Sequence, residues 1–276
     1  MGGGASSEGC VEFLQWALPR LGLRWAGFRR VRGHVCKRVR RRAQALGLPG
    51  LDAYRAHLTA EPEEWAVLER LARVTISRFC RDRAVFAALG EAVLPSLAAA
   101  ARAEGRGAVR AWSAGCASGE EPYTVALVWR FRVAPRAPGP GLEIVGTDVD
   151  PALLERARAA EYAASSLREV PEAWRREAFA EDAGRFVLAA EHRRAVRFAL
   201  HDVRAPPPPG PFDLVLCRNL AFTYLDAPGQ RAVLDHLAGA LRPGGALAVG
   251  LHEALPEPAE AFAPWPGARA VFQRAA

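Results

Sequence analysis

The stretch VRAWSAGCASGEEPY, residues 109–123, reads as three elements in succession: a short apolar run, a turn of small residues and the start of a helix. Val109–Ser113 has the β-branched and aromatic content of a buried strand. Gly115 and Gly119 bracket the turn, where glycine lets the backbone approach a ligand and take angles closed to other residues. The helix expected from Glu121 to about Arg132 would offer unpaired N–H groups at its first turn. The spacing is neither the GxGxxG of dinucleotide enzymes nor the Gly-Lys-Ser/Thr of a phosphate loop. Lys37 is the only lysine in the chain, so a kinase or ATPase is excluded.

Working outward, a second strand over Glu143–Gly146 ends in Thr147-Asp148-Val149-Asp150, and Pro151 opens the next helix at the position proline favours. Asp148 lies where an acid at the end of a second strand holds ribose hydroxyls. Capping the helix is its alternative role, and Asp150 suits that role better by position. Val196–Leu200, Asp213–Cys217 and Ala246–Gly250 read as further strands, and Asp202 follows the first of them, where it could reach an adenine amino group. Strands alternating with helices predict an α/β fold with a doubly wound, mostly parallel sheet. Residues 184–200, with Arg185–Leu188 and Ala195–Phe198 flanking a polar turn, read as a short β-hairpin insert. PPPPG (206–210) reads as a stiff surface linker. The Leu-x-Pro-Gly-Gly turn of LRPGGALAVG (241–250) is characteristic of the S-adenosylmethionine-dependent methyltransferase sheet.

Toward the N-terminus, residues 1–10 read as a flexible start. Gly2 with Ser6 matches the loose myristoylation pattern, for which a Gly-rich tail is the simpler explanation. Phe28, Val31, Val35, Val39, Ala43 and Leu46 recur at three- and four-residue steps, the apolar stripe of a helix. Arg29, Arg30, Lys37, Arg38, Arg40 and Arg41 fall off that stripe and predict a cationic face, and Gly47 and Pro49 stop the helix. With helices expected at 52–57 and 62–74, residues 11–75 form a helical domain. Residues 76–108 would link it, through a helix at 82–104, to a cofactor domain at 109–276.

Composition bounds the rest. Half of the 276 residues are apolar and 24% are charged, which excludes disorder. Residues 13–51 carry ten Arg or Lys and no acid, more than the whole chain's net +7, so the rest of the chain is net acidic by three, the basicity belongs to that stretch and an acidic partner should meet the protein there. No apolar run approaches the roughly 20 residues of a membrane span, and no signal segment opens the chain. Cys10, Cys36, Cys80, Cys116 and Cys217 are scattered, which speaks against a disulfide framework or a zinc site and fits a reducing, cytoplasmic setting. The histidines show no ligand spacing, so no metal is expected. The tryptophans are dispersed, so no platform for stacking bases is evident.

Taken together these motifs resemble the CheR family, the chemotaxis-receptor glutamate methyltransferases, from about Val11 to Phe272. The family's Trp-Ser-Ala-Gly-Cys-x-x-Gly-Glu-Glu-Pro-Tyr signature stands at Trp112–Tyr123, its Thr-Asp-Ile-Asp element at Thr147–Asp150, and its Phe-Asp-x-x-x-Cys-Arg-Asn element at Phe212–Asn219. The resemblance implies a class I, Rossmann-like methyltransferase domain behind an all-helical N-terminal domain, with S-adenosyl-L-methionine as cofactor. It implies that Glu121, in the loop opened by Gly115, meets the methionine amino group. Asp148 would meet the ribose and Asp202 with Val203 the adenine, while Arg218 and Asn219 would close the pocket. The family's Thr-x-Phe-Phe-Arg element stands as Ser77–Arg81, which puts Arg81 beside the transferred methyl and makes Thr75 and Ser77 polar cofactor contacts. Arg38 and Arg41 of the basic helix become candidate substrate contacts.

Ser77 and Cys80 depart from the family's threonine and second phenylalanine. The run after Asn219 is one residue longer than the family's, so counting from Asp226 places the active-site tyrosine at Tyr224, the reading favoured here, and counting from Asn219 places Thr223 there. The docking insert that some relatives use to grip a receptor tail is at most a hairpin. The function implied is carboxyl O-methylation of protein glutamate, on an acidic protein such as the helical signalling region of a chemoreceptor, by a monomer without a membrane span. A methyltransferase of the same fold acting on RNA or a small molecule, and a non-catalytic cofactor-binding adaptor, are the alternatives.

Overall fold

The structure, a computed structural model, describes residues 4–136 and 139–275. Gly2 and its acylation pattern lie outside the described residues. The chain divides into two compact units, Met1–Thr75 with Thr223–Gly229, and Ile76–Phe222 with Gln230–Ala276.

The first unit is helical. Its principal helices are Gly4–Ala17, Arg32–Ala45, Leu51–Ala60 and Glu64–Ala72, so the stretch 4–10, expected to be flexible, begins the first helix. Phe13, Leu14, Phe28, Val35, Val39, Tyr54, Leu58 and Leu68 form its core. The basic helix starts at Arg32 instead of Phe28, because Trp25–Phe28 makes a separate short helix ended by the turn at Arg29–Val31. Cys10 and Cys36 form a disulfide across 26 residues, joining the first helix to the basic one. This bond corrects the expectation drawn from the scattered spacing, which spoke against disulfides; a pairing across a long loop carries no local motif. Residues 223–226 are held on the Gly22–Arg24 turn: Arg24 N–H donates to the Tyr224 carbonyl (2.9 Å), and Asp226 N–H to the Gly22 carbonyl (2.9 Å).

Among the described residues the second unit carries ten strands: β1 (Ala108–Ala114), β2 (Gly141–Asp148), β3 (Glu161–Ala163), β4 (Phe179–Asp182), β5 (Arg185–Leu188), β6 (Val196–Leu200), β7 (Phe212–Leu216), β8 (Leu241–Ala248), β9 (Phe262–Pro264) and β10 (Val271–Arg274). Seven form one sheet in the order β6-β2-β1-β7-β8-β10-β9, parallel as far as β8, with β10 antiparallel to both of its neighbours. It is a doubly wound sheet whose reversed strand, β10, lies between β8 and the edge strand β9. The helix Glu120–Val128 is buried on nearly every face, from Pro122 through Val128, which explains its lack of an amphipathic pattern.

Three expectations are corrected here. The hairpin at 184–200 does not form: β6 joins the main sheet beside β2, and β5 pairs with β4 and β3 in a separate three-stranded antiparallel sheet. The two strands on either side of the polar turn belong to different sheets, which local pattern alone does not reveal. The insert is therefore larger than a hairpin. Second, Arg83–Ala103 is one 21-residue helical run, long and apolar enough by composition to cross a membrane. Val85, Phe86, Leu89, Val93, Leu94, Leu97, Ala98 and Ala101 bury its apolar side in the unit's core, as a core helix does. Third, that same packing makes residues 76–108 part of the second unit and not a linker.

Candidate functional site

The sheet's winding reverses between β1 and β7, and in open α/β sheets ligands bind beyond the carboxyl ends of the strands at such a point. The sequence-predicted residues of the second unit converge on that edge. After β1, the Gly115 and Cys116 N–H groups both donate to the Thr147 carbonyl (2.7 and 2.8 Å), folding the turn back onto the end of β2. Gly115, Ala117 and Gly119 have φ of +73°, +48° and +88°. Such angles are uncommon for alanine and mark a loop whose shape is imposed by its surroundings.

That shape serves Asp148. One carboxylate oxygen accepts from the Ala117 N–H (2.9 Å) and the other from the Asp150 N–H (3.0 Å). Asp150 itself caps the helix Pro151–Ala159 through the Ala152 N–H (3.0 Å), so the two acids divide the roles as their positions suggested. Burial raises the Asp148 pKa, and the backbone donors of Asp150 and Ala117 oppose the shift.

Glu120 and Glu121 separate in the first turn of their helix. Glu120 turns inward and accepts from the Ser118 hydroxyl (3.0 Å). Glu121 accepts from the Ser113 hydroxyl (2.7 Å) and from Arg218 Nη1 (3.0 Å). Its pKa is raised by burial and pulled back by Arg218. Arg218 is enclosed, its side chain only 2% exposed. Nη2 donates to the Asp82 carboxylate (2.9 Å) and the Arg81 carbonyl (2.7 Å), and the guanidinium lies 4.8 Å over the Phe86 ring. Arg218, expected to close the pocket, thus holds Glu121 and ties it to the 81–82 turn.

Arg81 is half-buried, with Nη1 donating to the Ile76 carbonyl (2.7 Å) and Nη2 to Asn219 Oδ1 (3.2 Å). Ser77 is half-buried on the extended segment preceding it. Asn219 follows β7 with φ +54°, and its N–H donates to Glu253 Oε2 (2.7 Å). Asp202 and Val203 sit in the turn after β6, also half-buried. There the Asp202 carboxylate is bracketed by Arg204, with Nη2 at 2.6 Å and Nε at 3.0 Å.

In the first unit, Tyr224 ends the short helix Ala221–Tyr224, and its ring packs 5.0 Å from that of Phe28. The Thr223 carbonyl accepts from Arg24 Nε (3.0 Å), and Thr75 is exposed. Arg41 is exposed on the basic helix. Arg38 is half-buried there: Nη2 donates to the Arg73 carbonyl (2.7 Å), and burial lowers its pKa. This bond braces the end of the helical unit. Arg42 likewise turns inward, making two bonds to buried Glu64 (2.9 and 2.8 Å), which also accepts from the Tyr54 hydroxyl (2.8 Å).

Sequence reading missed Ser113, Asp82, Arg204 and Glu253. The first three lie within or beside matched motifs, whereas nothing local singles out Glu253. The donor set has a definite chemistry. Glu121, in the first turn of the helix after β1, and Asp148, at the end of β2, are carboxylates, and the buried cation Arg218 is already spent on Glu121 and Asp82. Such an edge repels a pyrophosphate and suits a ligand with a cationic group and vicinal hydroxyls. Among the described residues, no cluster of His, Cys, Asp or Glu could hold a metal ion.

Comparison with known proteins gives a consistent result. The family described as "CheR methyltransferase, SAM binding domain" matches residues 75–271. The chemotaxis protein methyltransferase of Listeria innocua is 36% identical over 190 residues, 69% of this chain and 69% of that protein. The probable chemotaxis protein methyltransferase of Rhizobium etli is 34% identical over 227 residues, 79% of this chain and 83% of its own length. Among solved structures, an amino pentose methyltransferase from Micromonospora echinaspora is 21% identical with a TM-score of 0.33, covering 68% of this chain and 55% of that one.

Proposed function

The chain belongs to the CheR methyltransferase family, and from that premise we propose that this S-adenosylmethionine-dependent methyltransferase esterifies the side-chain carboxylate of a protein glutamate. The observation that carries the cofactor assignment is the pair of carboxylates, Glu121 in the helix turn after β1 and Asp148 at the end of β2, each held by defined hydrogen bonds. Glu121 would receive the methionine ammonium and Asp148 the ribose hydroxyls. Asp202 and Val203 would meet the adenine, for which Arg204 must share the Asp202 carboxylate. Asn219, Ser77 and Thr75 complete the proposed contacts.

When bound, the cofactor supplies an electrophilic methyl on a sulfonium, transferred in line to the acceptor. A glutamate side chain is ionised at neutral pH, with an unperturbed pKa near ~4.3, so the protein need not supply a general base. Its residues have to align an oxygen and exclude water. Arg81 spends two of its five N–H donors on the Ile76 carbonyl and Asn219, which fixes its plane and leaves donors for an acceptor carboxylate. Tyr224 is assigned the second orienting role, through its hydroxyl. The acceptor in this reading is an acidic helical segment of a chemoreceptor, reached in the cytoplasm, with Arg41 among the exposed cations of the basic helix that attract it.

The test is incubation with methyl-labelled S-adenosylmethionine and a receptor-rich extract of the host cell, followed by mild base. Volatile methanol is expected, because a carboxyl ester hydrolyses under those conditions. A base-stable label would overturn the glutamate assignment in favour of nitrogen or carbon methylation.

A further inference from the structure

We propose that Glu253 is a positioning residue of the methyl-transfer site: its carboxylate fixes the turn at Asn219 and, through Asn219, the orientation of the Arg81 guanidinium. The proposal rests on the functional reading above for the importance of Arg81, but its structural content stands apart from it. A single oxygen, Glu253 Oε2, accepts from the Asn219 N–H and the Gly250 N–H, both at 2.7 Å. These two groups lie just beyond the carboxyl ends of β7 and β8, neighbouring parallel strands. The ladder between them continues as far as the Cys217 N–H, which donates to the Ala248 carbonyl (3.0 Å). Glu253 takes over where it stops, as a side-chain acceptor for two N–H groups the sheet leaves behind.

The space is shaped for this carboxylate. A Cβ on Gly250 would stand 2.8 Å from Glu253 Oε2 and 3.1 Å from the Asn219 carboxamide, so any larger residue would expel one or the other. The Glu253 N–H donates to the Gly250 carbonyl (2.9 Å), closing a tight turn that brings the side chain back over the strand ends.

The consequence runs through Asn219. Its φ of +54° is a left-handed conformation, costly for an L-residue although asparagine tolerates it better than most. With the backbone held there, Oδ1 accepts from Arg81 Nη2 (3.2 Å), while Nη1 donates to the Ile76 carbonyl (2.7 Å). The adjacent Arg218 holds the Arg81 carbonyl from below (2.7 Å). The backbone of Arg81 is thus set by Arg218, and the plane of its side chain by Asn219 and so by Glu253. Nothing in this role uses the acid–base chemistry of Glu253, which predicts that a carboxamide acceptor serves nearly as well.

The test uses full-length protein with arginine side chains labelled for NMR, the Arg81 Nε–H signal being assigned by its loss in Arg81→Lys. Glu253→Ala is expected to shift or broaden that signal and to weaken S-adenosylhomocysteine binding about tenfold by calorimetry. Glu253→Gln should leave both within about twofold of the parent, and Glu253→Ala combined with Asn219→Ala should be no worse than Asn219→Ala alone. If Glu253→Ala does not fold, Glu253→Asp, which withdraws the carboxylate by one methylene, takes its place. A lowered melting temperature with the Arg81 signal and the affinity unmoved would overturn the proposal, as would failure of glutamine to restore them. If the parent protein does not bind S-adenosylhomocysteine, the cofactor assignments fail, and the Arg81 signal still decides the role of Glu253.

Discussion

Replacing Arg218 with methionine tests the electrostatic frame beneath the site. The guanidinium is 2% exposed and donates to Glu121, Asp82 and the Arg81 carbonyl, so its removal leaves Glu121 buried without its cation. Methionine occupies much of the same volume over Phe86, which limits the effect of lost packing. Breaking a buried pair from one side costs about 3–5 kcal/mol. Taking a urea dependence of about 3 kcal/mol/M, at the upper end for a domain of this size, the midpoint should fall by roughly 1–1.7 M. The sign with pH follows from burial, which raises the Glu121 pKa. A carboxyl with a raised folded pKa holds more protons folded than unfolded, so its contribution falls as pH rises above the ordinary carboxylate range. In Arg218→Met, with the opposing cation gone, this dependence is exposed: stability should recover as pH is lowered from about 8 to about 5, and Glu121→Gln in the same background should restore much of it at pH 8. Urea titrations followed by circular dichroism measure all three quantities. A midpoint shift under about 0.3 M, or a double variant whose losses simply add, would refute the account of Arg218 as the counter-charge of Glu121.

Two further outcomes concern the helical unit. Arg41→Glu should impair methylation of an acidic acceptor at low salt while leaving stability and S-adenosylhomocysteine affinity nearly unchanged, because Arg41 is exposed; Arg38→Glu should instead lower the melting temperature, because Arg38 holds the Arg73 carbonyl. Identical behaviour of the two variants in thermal and methyl-transfer assays would contradict that division. The Glu64 pKa is lowered, first by its hydrogen bond to Arg42, so its contribution is present above the ordinary carboxylate pKa of about 4.3 and is lost as pH falls through the lower folded value. Acid titration followed by the fluorescence of Trp16 and Trp65, which pack together in this unit, should show that loss, and Glu64→Gln should flatten it at a cost of about 1–3 kcal/mol at neutral pH. An unchanged acid profile in the variant would remove Glu64 from the argument.

The alternation of apolar runs with helix signals around Gly115 and Asp148 was enough to specify a doubly wound sheet, because strand and helix periods are local properties of the chain. Asp148 and Glu121 were legible for the same reason: each lies within a few residues of the strand end that places it. Pairing across the chain was not legible. The strands flanking residues 189–195 joined different sheets, since register is settled by which face is buried and not by the intervening turn. Arg38 looked like its exposed neighbours until the Arg73 carbonyl, 35 residues away, claimed it. Arg218 was read as a pocket residue, and its bond to Glu121, 97 residues earlier, was not part of that reading. Glu253 carried no signal at all, because its partners are backbone N–H groups, and every residue except proline has one. The sequence determined which elements form and which acids stand at their ends; the tertiary structure decided which cations remain free, because a buried carboxylate or carbonyl takes its partner from whatever the fold brings within reach.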